Sequence, residues 1–410
     1  MFTTNEECRI CKGKNLTKFI SLGDQPPANR FIKEEERNLS EPSYPLDVYF
    51  CADCNLAQLR DVVDKEELFK NYIYFSSGMP KLSNHFQKYA EDVMRRFLGK
   101  GDFVVELASN DGILLKFFQD NGYKILGIDP ASNVVKIAES MGVRTRDAFF
   151  SKELAAEIAA KEGKAKAILA NNVVAHINDH HDLAQGIKTL LADDGVFVIE
   201  APYLVDMFDN LSYDTIYHEH LSLLALRPVQ KLFGQFGLEV FDMEVNPVQG
   251  QSLRVFVGHA GARPVSPNVQ KYVDLELQKG FDKLESYREL AHRIENSQNQ
   301  LIGVLRDLKK QGKRIAAYGA PAKGNTLLNY CQIGADVLDY ALEDLPSKQG
   351  LLSPGMHIPV KDRKYTESHR PDYYLLLAWN YLNPILEKEA AYRAGGGKFI
   401  MPIGDEIKII

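Results

Sequence analysis

The sequence has little that would suggest a membrane, secreted or nucleic-acid-binding protein. Among its 410 residues, no apolar run reaches the roughly 18 residues that a membrane-spanning helix needs. The 55 acidic residues outnumber the 49 basic ones, and a formal charge of -6 provides no broad basic surface for a polyanion. The N-terminus lacks the basic segment and apolar run of a signal peptide. We therefore expect a cytoplasmic protein without a membrane or nucleic-acid partner, and the sequence does not indicate an oligomeric state.

Cysteine is also scarce, and its placement is uneven. Four of the five cysteines lie in the first 54 residues as two Cys-x-x-Cys pairs, Cys8 with Cys11 and Cys51 with Cys54. Two such pairs favour a closed tetrahedral zinc site that is structural and leaves no open position for catalysis. The alternative is two unrelated pairs of free thiols. The first 70 residues have too little apolar content for a core of their own, and a bound metal would supply the missing stability.

Apolar and helical segments alternate through the rest of the chain. Buried strands are predicted at Phe103–Leu107, Lys124–Asp129, 167–170 and 196–200, with helical segments between them. This alternation predicts a parallel, doubly wound α/β sheet. A second strand–loop–helix unit begins near residue 314 and predicts a second α/β domain. The charged stretch 268–311 is interpreted as a solvated connecting helix.

A loop between the first predicted strand and its helix is suited to a cofactor. It runs from Glu106 to Gly112, and Asp129 follows at the tip of the next strand, where it can bind ribose hydroxyls. The same placement could serve NAD, but the G-x-G-x-x-G fingerprint is absent and Glu106 would repel a pyrophosphate. The cationic, phosphate-free S-adenosylmethionine fits this acidic loop better. A plain strand–helix turn is the alternative.

This loop resembles the first motif of class I methyltransferases. Ala108 stands where that family normally has glycine, and a position with positive φ tolerates alanine poorly. The segment 147–149 resembles the part that flanks the adenine, and 171–176 matches the position after the fourth strand, where methyltransferases place substrate-facing residues. The cofactor-binding residues that the resemblance implies are Glu106, Ala108, Asn110, Asp111, Gly112, Asp129 and Asn171.

Titratable and aromatic residues are densest in the sequence Tyr217-His218-Glu219-His220. A histidine with a pKa near neutrality can remove a proton, and an adjacent glutamate can orient it. Structural histidines are the alternative interpretation. A second aromatic and hydroxyl-rich cluster contains Tyr72, Tyr74 and Ser76, whose hydroxyls suit a sugar or a phosphate; two tyrosines on one face of a strand are the alternative.

A second glycine-containing loop opens a helix in the C-terminal part. Helix N-terminal amides together with a lysine form a pyrophosphate site, although a structural Rossmann-like domain is the alternative. The predicted substrate-binding residues of this region are Tyr318, Gly319, Ala320, Lys323, Gly324, Asn325, Glu343 and Lys348. Cys331 is predicted to be a small buried hydrophobic residue.

Taken in order along nearly the whole chain, these motifs resemble the three-domain zinc-containing sugar C-methyltransferases. Residues 343–350 and 354–359 resemble further signatures of the same family. The resemblance implies an α/β fold with a small zinc-binding domain at 1–75, a central Rossmann-like class I methyltransferase domain at 76–265, and a C-terminal Rossmann-like domain with its linking helix at 266–410. It implies S-adenosylmethionine and structural Zn²⁺ as cofactors, and a nucleotide-linked 4-keto-deoxysugar, usually dTDP-linked, as substrate.

The same resemblance implies a mechanism. His220 is the candidate base, with Tyr72, His176, Tyr217 and Glu219 around the sugar. Proton removal next to the ketone gives an enolate, and C3 is the favoured position, with C5 open. Three different activities stay open at this point: an O- or N-methyltransferase, an NAD-dependent sugar oxidoreductase, and a non-enzymatic zinc-binding scaffold.

Overall fold

The computed structural model describes residues 2–69, 80–246 and 251–410. Within these ranges the strands form sheets of four, seven and five strands and one two-stranded ribbon. Across the same ranges, no helix combines the length and apolar character needed to cross a bilayer. The predicted α/β architecture with a Rossmann-like central unit is confirmed.

An antiparallel sheet and a small ribbon make up the N-terminal module, residues 2–69. Its elements are β1 (Phe2–Thr4), β2 (Leu16–Gln25), a 3₁₀ turn (Glu34–Glu36), β3 (Tyr44–Cys51), β4 (Ala57–Leu59), β5 (Asp61–Val63) and α1 (Lys65–Phe69). Strand β3 alternates buried and half-buried residues with a period of two, so that Leu46, Val48 and Phe50 face inward. Strands β2, β3 and β4 pair in sequence, and β1 pairs with β5.

The central part of the chain contains a sheet of the doubly wound type. The elements of this part are α2 (Pro80–Phe97), β6 (Phe103–Leu107), α3 (Ile113–Asp120), β7 (Lys124–Asp129), α4 (Ser132–Ser140), β8 (Thr145–Asp147), α5 (Lys152–Glu162), β9 (Ala165–Asn171), a 3₁₀ turn (Val174–His176), α6 (His180–Leu190), β10 (Leu191–Pro202), α7 (Leu204–Asn210), a 3₁₀ turn (Tyr213–Thr215), β11 (Ser222–Leu223), α8 (Leu226–Gly234), β12 (Leu238–Asn246) and β13 (Ser252–His259). The strand order of the sheet is β12-β13-β10-β9-β6-β7-β8, and β13 runs antiparallel to both of its neighbours. Helices on both faces explain why the parallel strands are almost continuously apolar.

The order of the central strands creates a crevice. The chain passes from β6 outward to β7 and β8, and then returns to place β9 on the other side of β6. Ligands of open α/β sheets bind at such a switch point, outside the carboxyl ends of the strands. Glu106, Asp129 and Asn171 all lie at these strand ends.

The C-terminal unit repeats this principle on a smaller scale. Its elements are α9 (Pro267–Gln278), α10 (Leu284–Lys310), β14 (Ile315–Tyr318), α11 (Ala322–Tyr330), β15 (Ala341–Leu342), β16 (Val360–Lys361), α12 (Arg363–Ser368), β17 (Tyr373–Leu376), a 3₁₀ turn (Trp379–Tyr381), α13 (Leu382–Lys388), α14 (Ala390–Ala394) and β18 (Lys398–Ile400). The five strands are parallel in the order β16-β15-β14-β17-β18, so the switch point lies between β14 and β17.

The interpretation of residues 268–311 as one solvated connecting helix is wrong in two respects. The stretch forms two helices, α9 and α10, which are separated by a turn at Gly280, whose φ is +72°. Helix α10 also buries a stripe at three- and four-residue spacing, which includes Tyr287, Ile294 and Leu301. The many charged residues of α10 lie on its other faces. Their number alone therefore suggested a solvated helix and gave no indication of the buried stripe.

Helix α10 connects the C-terminal unit to the N-terminal module. The Tyr287 ring lies 5.1 Å from that of Phe19 and 4.7 Å from that of Phe50, between ring centroids. One continuous cluster of buried apolar side chains includes Leu46 of the module, the strands of the central sheet and Ile315 of the C-terminal sheet. The small module therefore completes its core with side chains from the rest of the chain.

Candidate functional site

The four N-terminal cysteines converge on one point. Cys8 and Cys11 precede β2, Cys51 ends β3 and Cys54 follows it. Their sulfur atoms all lie within 4.8 Å of one another, with 3.6 Å between the sulfurs of Cys8 and Cys54. Tetrahedral zinc with Zn–S distances of about 2.3 Å requires sulfurs about 3.8 Å apart. The donor set and spacing therefore fit Zn²⁺, and the four thiolates leave no position for a substrate.

The crowding of these thiols also favours a cation. Hydrogen bonds with the neighbouring Cys51 and Cys8, followed by burial, raise the pKa of the Cys54 thiol. Thiolates this close together repel one another unless a metal ion compensates their charge. The cysteines are thus arranged for a metal rather than for separate thiol chemistry.

Glu106 and Asn171 meet at the switch point of the central sheet. The Asn171 side-chain amide donates to one Glu106 carboxylate oxygen over 3.2 Å. The other oxygen, Oε2, is buried and has no hydrogen-bond partner within the described ranges. Burial raises the pKa of the Glu106 carboxyl well above its usual value. A buried acceptor of this kind is suited to the hydroxyl of a ribose.

The loop after Glu106 has an unusual backbone. Ala108 and Asn110 have φ values of +52° and +51°, and Gly112 has +80°. A Cβ atom at Gly112 would lie 2.7 Å from Val143, so this position requires glycine. Ala108 adopts the left-handed conformation that a glycine would adopt more easily, at a cost of about 1 kcal/mol or more.

Asp129 holds this loop in place. Its two carboxylate oxygens accept hydrogen bonds from the backbone N–H groups of Asn110 and Ala131, each over 2.9 Å. Burial raises the pKa of this carboxyl as well. Each oxygen keeps further acceptor capacity, so the predicted ribose contact of Asp129 is compatible with its role in the loop.

A cavity of about 810 Å³ lies over these strand ends. It is lined by residues 106–110, 128–131, 148–151, 171–173 and 176–179, and by residues 62–65 of the N-terminal module. The predicted loop, Asp129 and part of the 147–149 segment thus face one space, whereas Asp111 and Gly112 are absent from its described lining. The size and the buried acceptors fit S-adenosylmethionine.

Asn172 belongs to the segment 171–176 that the resemblance singles out, but it is not among the predicted cofactor-binding residues. It lines the cavity, has a φ of +52°, and its side-chain oxygen is buried without a hydrogen-bond partner in the described chain. It directly follows Asn171, the last residue of β9.

Two histidines meet at the edge of this cavity. His176 lines it, and the ring of His220 lies 4.9 Å from the His176 ring between centroids. His220 Nδ1 is 2.6 Å from the carbonyl oxygen of Thr215. A carbonyl only accepts, so this contact places the proton of the neutral ring on Nδ1 and leaves the Nε2 lone pair as the basic position. Burial lowers the pKa of His220 to about 4 and that of His176 well below its usual value.

The other predicted residues of this cluster have different surroundings. The Tyr217 ring packs 4.1 Å from the His220 ring between centroids. Glu219 lines the cavity and accepts a hydrogen bond from the Asn29 side chain over 2.6 Å. His218 also lines the cavity, and its Nε2 lies 3.1 Å from the backbone carbonyl oxygen of Tyr44. The predicted Tyr72, Tyr74 and Ser76 lie outside the described residues.

The C-terminal loop is held from two sides at Ala320. Glu343 accepts from the Ala320 N–H over 3.0 Å, and the buried Lys348 ammonium donates to the Ala320 carbonyl over 2.8 Å. Gly319 has a φ of +85°, and a Cβ atom there would lie 3.0 Å from Ala378. Glu343 and Lys348 therefore shape the loop, and their predicted contact with substrate stays a prediction.

The remaining predicted residues of this unit divide between core and crevice. The Tyr318 hydroxyl donates to Glu389 in the domain core, and Gly324 packs against Leu377. The Asn325 amide donates to the Ala28 carbonyl of the N-terminal module. Lys323 lies at the switch point, with its ammonium 3.7 Å from the centre of the Trp379 ring.

Trp379 connects this crevice to the histidine pair. Its indole N–H donates to Asp214 over 2.7 Å. Asp214 directly precedes Thr215, the residue that binds His220. The 3₁₀ turn Tyr213–Thr215 therefore contacts Trp379 on the C-terminal side and His220 on the other. Trp379 is not among the site residues predicted from the sequence, and the one feature that could have drawn attention to it is that it is the single tryptophan of the chain.

Three protein families match consecutive parts of this chain. Residues 8–69 match a zinc binding domain, residues 82–242 match a methyltransferase domain, and residues 247–404 match a C-methyltransferase C-terminal domain. The first match contains the four cysteines, the second the cofactor loop and the histidine pair, and the third the Gly319–Ala320 loop.

A curated relative matches almost the whole length. The C-methyltransferase NovU of Streptomyces niveus is 37% identical over 400 residues, which cover 97% of this chain and 95% of the relative. Solved structures match a smaller part. A SAM-dependent methyltransferase from Anabaena variabilis is 15% identical and covers 46% of this chain and 97% of its own, with a TM-score of 0.35. One from Archaeoglobus fulgidus is 13% identical and covers 43% and 93%, with a TM-score of 0.35.

The metal site can be tested by removing one cysteine pair. We expect the double variant Cys51→Ser/Cys54→Ser to lose the roughly one Zn²⁺ per chain that the unaltered protein retains, because two thiolates cannot close a tetrahedral site. Metal analysis of the purified proteins measures this. The matched control is Cys331→Ala, which removes a buried cysteine outside the cluster. Full zinc occupancy in the double variant would refute the assignment.

Proposed function

The chain belongs to the family of S-adenosylmethionine-dependent C-methyltransferases with an N-terminal zinc-binding domain, and from this we propose that it methylates a nucleotide-linked 4-keto-deoxysugar at the carbon next to the ketone. The resemblance of the ordered motifs to sugar C-methyltransferases supports this class of substrate. The same resemblance favours C3 as the position and dTDP as the carrier.

The geometry of His220 carries the proposal. The contact between His220 Nδ1 and the Thr215 carbonyl leaves Nε2 as the acceptor of a neutral imidazole. This histidine packs against His176, which lines the cavity that contains the cofactor loop. These contacts support a role for His220 as a base beside the site of the methyl donor, an arrangement that carbon methylation requires.

The proposed reaction begins with proton removal. The ketone at C4 acidifies the C–H bond at C3, and His220 Nε2 takes this proton while the electron pair moves to the carbonyl oxygen. Tyrosine hydroxyls such as that of Tyr72 or Tyr217 stabilise the resulting enolate oxygen. When bound, S-adenosylmethionine would supply an electrophilic methyl group to this carbon, with cleavage of its S–CH3 bond and S-adenosylhomocysteine as the leaving group. The product regains its ketone as the new carbon–carbon bond forms.

The cofactor site explains why the donor is held in place. Glu106 Oε2 is a buried acceptor suited to a ribose hydroxyl, and the loop 106–112 has the tight backbone that lets an adenosine approach. The buried acidic groups of this site also match a ligand that is positively charged at sulfur. Asn172, at the end of the neighbouring strand β9, adds a further acceptor.

The C-terminal unit is proposed to bind the nucleotide end of the substrate. Its switch point carries the Gly319–Ala320 loop and the ammonium of Lys323, whose pKa is lowered to about 8 by burial. A lysine with this pKa is still largely protonated at neutral pH and gains from an anionic ligand. The connection through Trp379 and Asp214 brings this loop near the turn that holds His220.

The substrate can be identified by an activity screen. We expect methyl transfer from S-adenosylmethionine to a dTDP-linked 4-keto-deoxysugar, with NMR of the product showing a new methyl group at C3. A matched sugar with a C4 hydroxyl in place of the ketone should give no product, because its neighbouring C–H is not acidic. Methylation of that control, or of oxygen or nitrogen, would refute the proposal. A new methyl group at C5 would support carbon methylation next to the ketone and would show that the methylated carbon is C5 rather than C3.

The role of His220 can be tested by substitution. We expect His220→Asn to lower kcat by about 10²–10⁴-fold, because a general base typically contributes this much. Binding of S-adenosylmethionine, measured by calorimetry, should be unchanged, since His220 is absent from the described lining of the cofactor cavity. The matched control is His292→Asn, an exposed histidine on α10. Turnover like that of the control would remove His220 from the role.

The pH dependence of kcat/KM tests the proposed role of His220 in a second way. Burial lowers the pKa of His220 to about 4, so the base is neutral and active above this value. Its protonation in the free enzyme should reduce kcat/KM only as the pH falls towards about 4, well below the value near 6.5 of an ordinary histidine. An acid limb near 6.5 that disappears in His220→Asn would contradict this expectation.

A further inference from the structure

The segment that carries His220 is anchored by the N-terminal module. Directly after His220, the carbonyl of Leu221 accepts from the Leu59 N–H over 3.0 Å. Ser222 and Leu223 form strand β11, which pairs with Gln58 and Ala57 as the edge strand of the module's sheet. The chain that follows the Tyr217 turn is therefore folded against a module that lies far away in sequence.

Arg9 is the side chain that joins this anchor to the cysteine cluster. It lies between Cys8 and Cys11 in sequence and is 1% exposed. Its guanidinium donates to the Leu221 carbonyl over 2.5 Å and to the Gln58 side-chain oxygen over 3.2 Å. A fully buried arginine is rare in proteins, and the hydrogen bonds of its two terminal nitrogens offset part of the loss of solvation, while its buried Nε has no partner among the described residues.

The same guanidinium also reaches the other histidine-bearing segment. Its second terminal nitrogen donates to the Asn178 side-chain oxygen over 3.4 Å, two residues after His176. The neighbouring backbone strengthens this connection, because the His181 ring contacts the Ile10 carbonyl at 2.6 Å. One side chain thus contacts both short segments that bring His176 and His220 together.

We infer that Arg9 is a positioning residue that couples the metal-binding knuckle to the His176–His220 pair. Its planar fork holds Leu221 and Asn178 at a fixed separation, so the two imidazole rings keep their mutual geometry and the His220 Nδ1 contact with Thr215. The inference rests on the proposed role of His220. It goes further by giving the zinc-binding module a part in catalysis in addition to its part in stability.

Charge and geometry both favour arginine at this place. Four thiolates carry more negative charge than one Zn²⁺ neutralises, and the buried guanidinium beside Cys8 offsets part of the excess. Lysine could supply the charge, but its single ammonium cannot bridge two separated acceptors with fixed geometry. The effect of the positive charge and the effect of the two-acceptor geometry can therefore be separated by Arg9→Lys, which keeps the charge and loses the geometry.

The test compares Arg9→Lys and Asn178→Ala with the control Lys14→Met. Lys14 belongs to the same module but is exposed, and its ammonium lies 3.6 Å from the carboxylate of Glu7. We expect Arg9→Lys to retain zinc and S-adenosylmethionine binding while kcat falls by about 10–100-fold, since small displacements of catalytic groups have effects of this size. Asn178→Ala removes one acceptor and leaves Arg9 intact, so it tests the same coupling if Arg9→Lys fails to fold. Because Asn178 also lines the cofactor cavity, the kcat of this variant is compared at a saturating concentration of S-adenosylmethionine.

A second readout needs no substrate. NMR of protein labelled with ¹⁵N-histidine reports the tautomer of each ring, and the His220 signals are identified by their loss in His220→Asn. We expect one tautomer, protonated at Nδ1, in the unaltered protein and in Lys14→Met, and a mixture in Arg9→Lys and Asn178→Ala. This result would support the coupling even if the screened ketosugars were not substrates, in which case only the proposed function would fail.

Two results would overturn the inference. The first is a kcat for Arg9→Lys equal to that of Lys14→Met together with an unchanged His220 tautomer. The second is a loss of turnover that follows zinc loss in proportion while the tautomer stays fixed, which would limit Arg9 to metal retention.

Discussion

The pairing of strand β11 with the N-terminal module is the constraint on which the proposed active site depends. The histidine that follows the Tyr217 turn is held on one side by Thr215 and on the other by a strand that belongs to another sheet. The second of these contacts is not available to an isolated methyltransferase domain. The module cannot complete its own core, and the histidine segment cannot complete its own fold, so each stabilises the other.

Burial has opposite and useful effects on the two halves of the site. It raises the pKa of the Glu106 carboxyl in the cofactor half, and it lowers the pKa of His220 in the half proposed to be catalytic. A neutral imidazole can accept a proton at ordinary pH, and a buried acidic cradle gains when a positively charged sulfonium ligand enters it. Both effects follow from the same exclusion of water, which would also protect the proposed enolate from protonation by solvent.

Local patterns in the sequence predicted much of this structure, and contacts between distant residues account for the rest. The cysteine pairs, the apolar runs of β6 and β7, and the loop before Gly112 each carry their signal within a few neighbouring residues. The family resemblance added the roles of His220 and the other site residues, which stay predictions until they are tested. The burial of α10 is masked by the charges on its other faces, and the two-residue strand β11 is too short to show a pattern. The sequence around Arg9 gives no indication that its side chain is buried, because its acceptor, the Leu221 carbonyl, lies far away in the chain.

The proposed reaction depends on an enolate that forms before carbon methylation. Solvent exchange tests this step most directly, in deuterated buffer with a nucleotide-linked 4-keto-deoxysugar and with S-adenosylhomocysteine in the donor site. An enolate-forming enzyme should incorporate deuterium at the carbon next to the ketone, without methyl transfer, at a rate well above the uncatalysed background. Incorporation at the background rate, under conditions in which the sugar is methylated once S-adenosylmethionine is added, would contradict enolate formation.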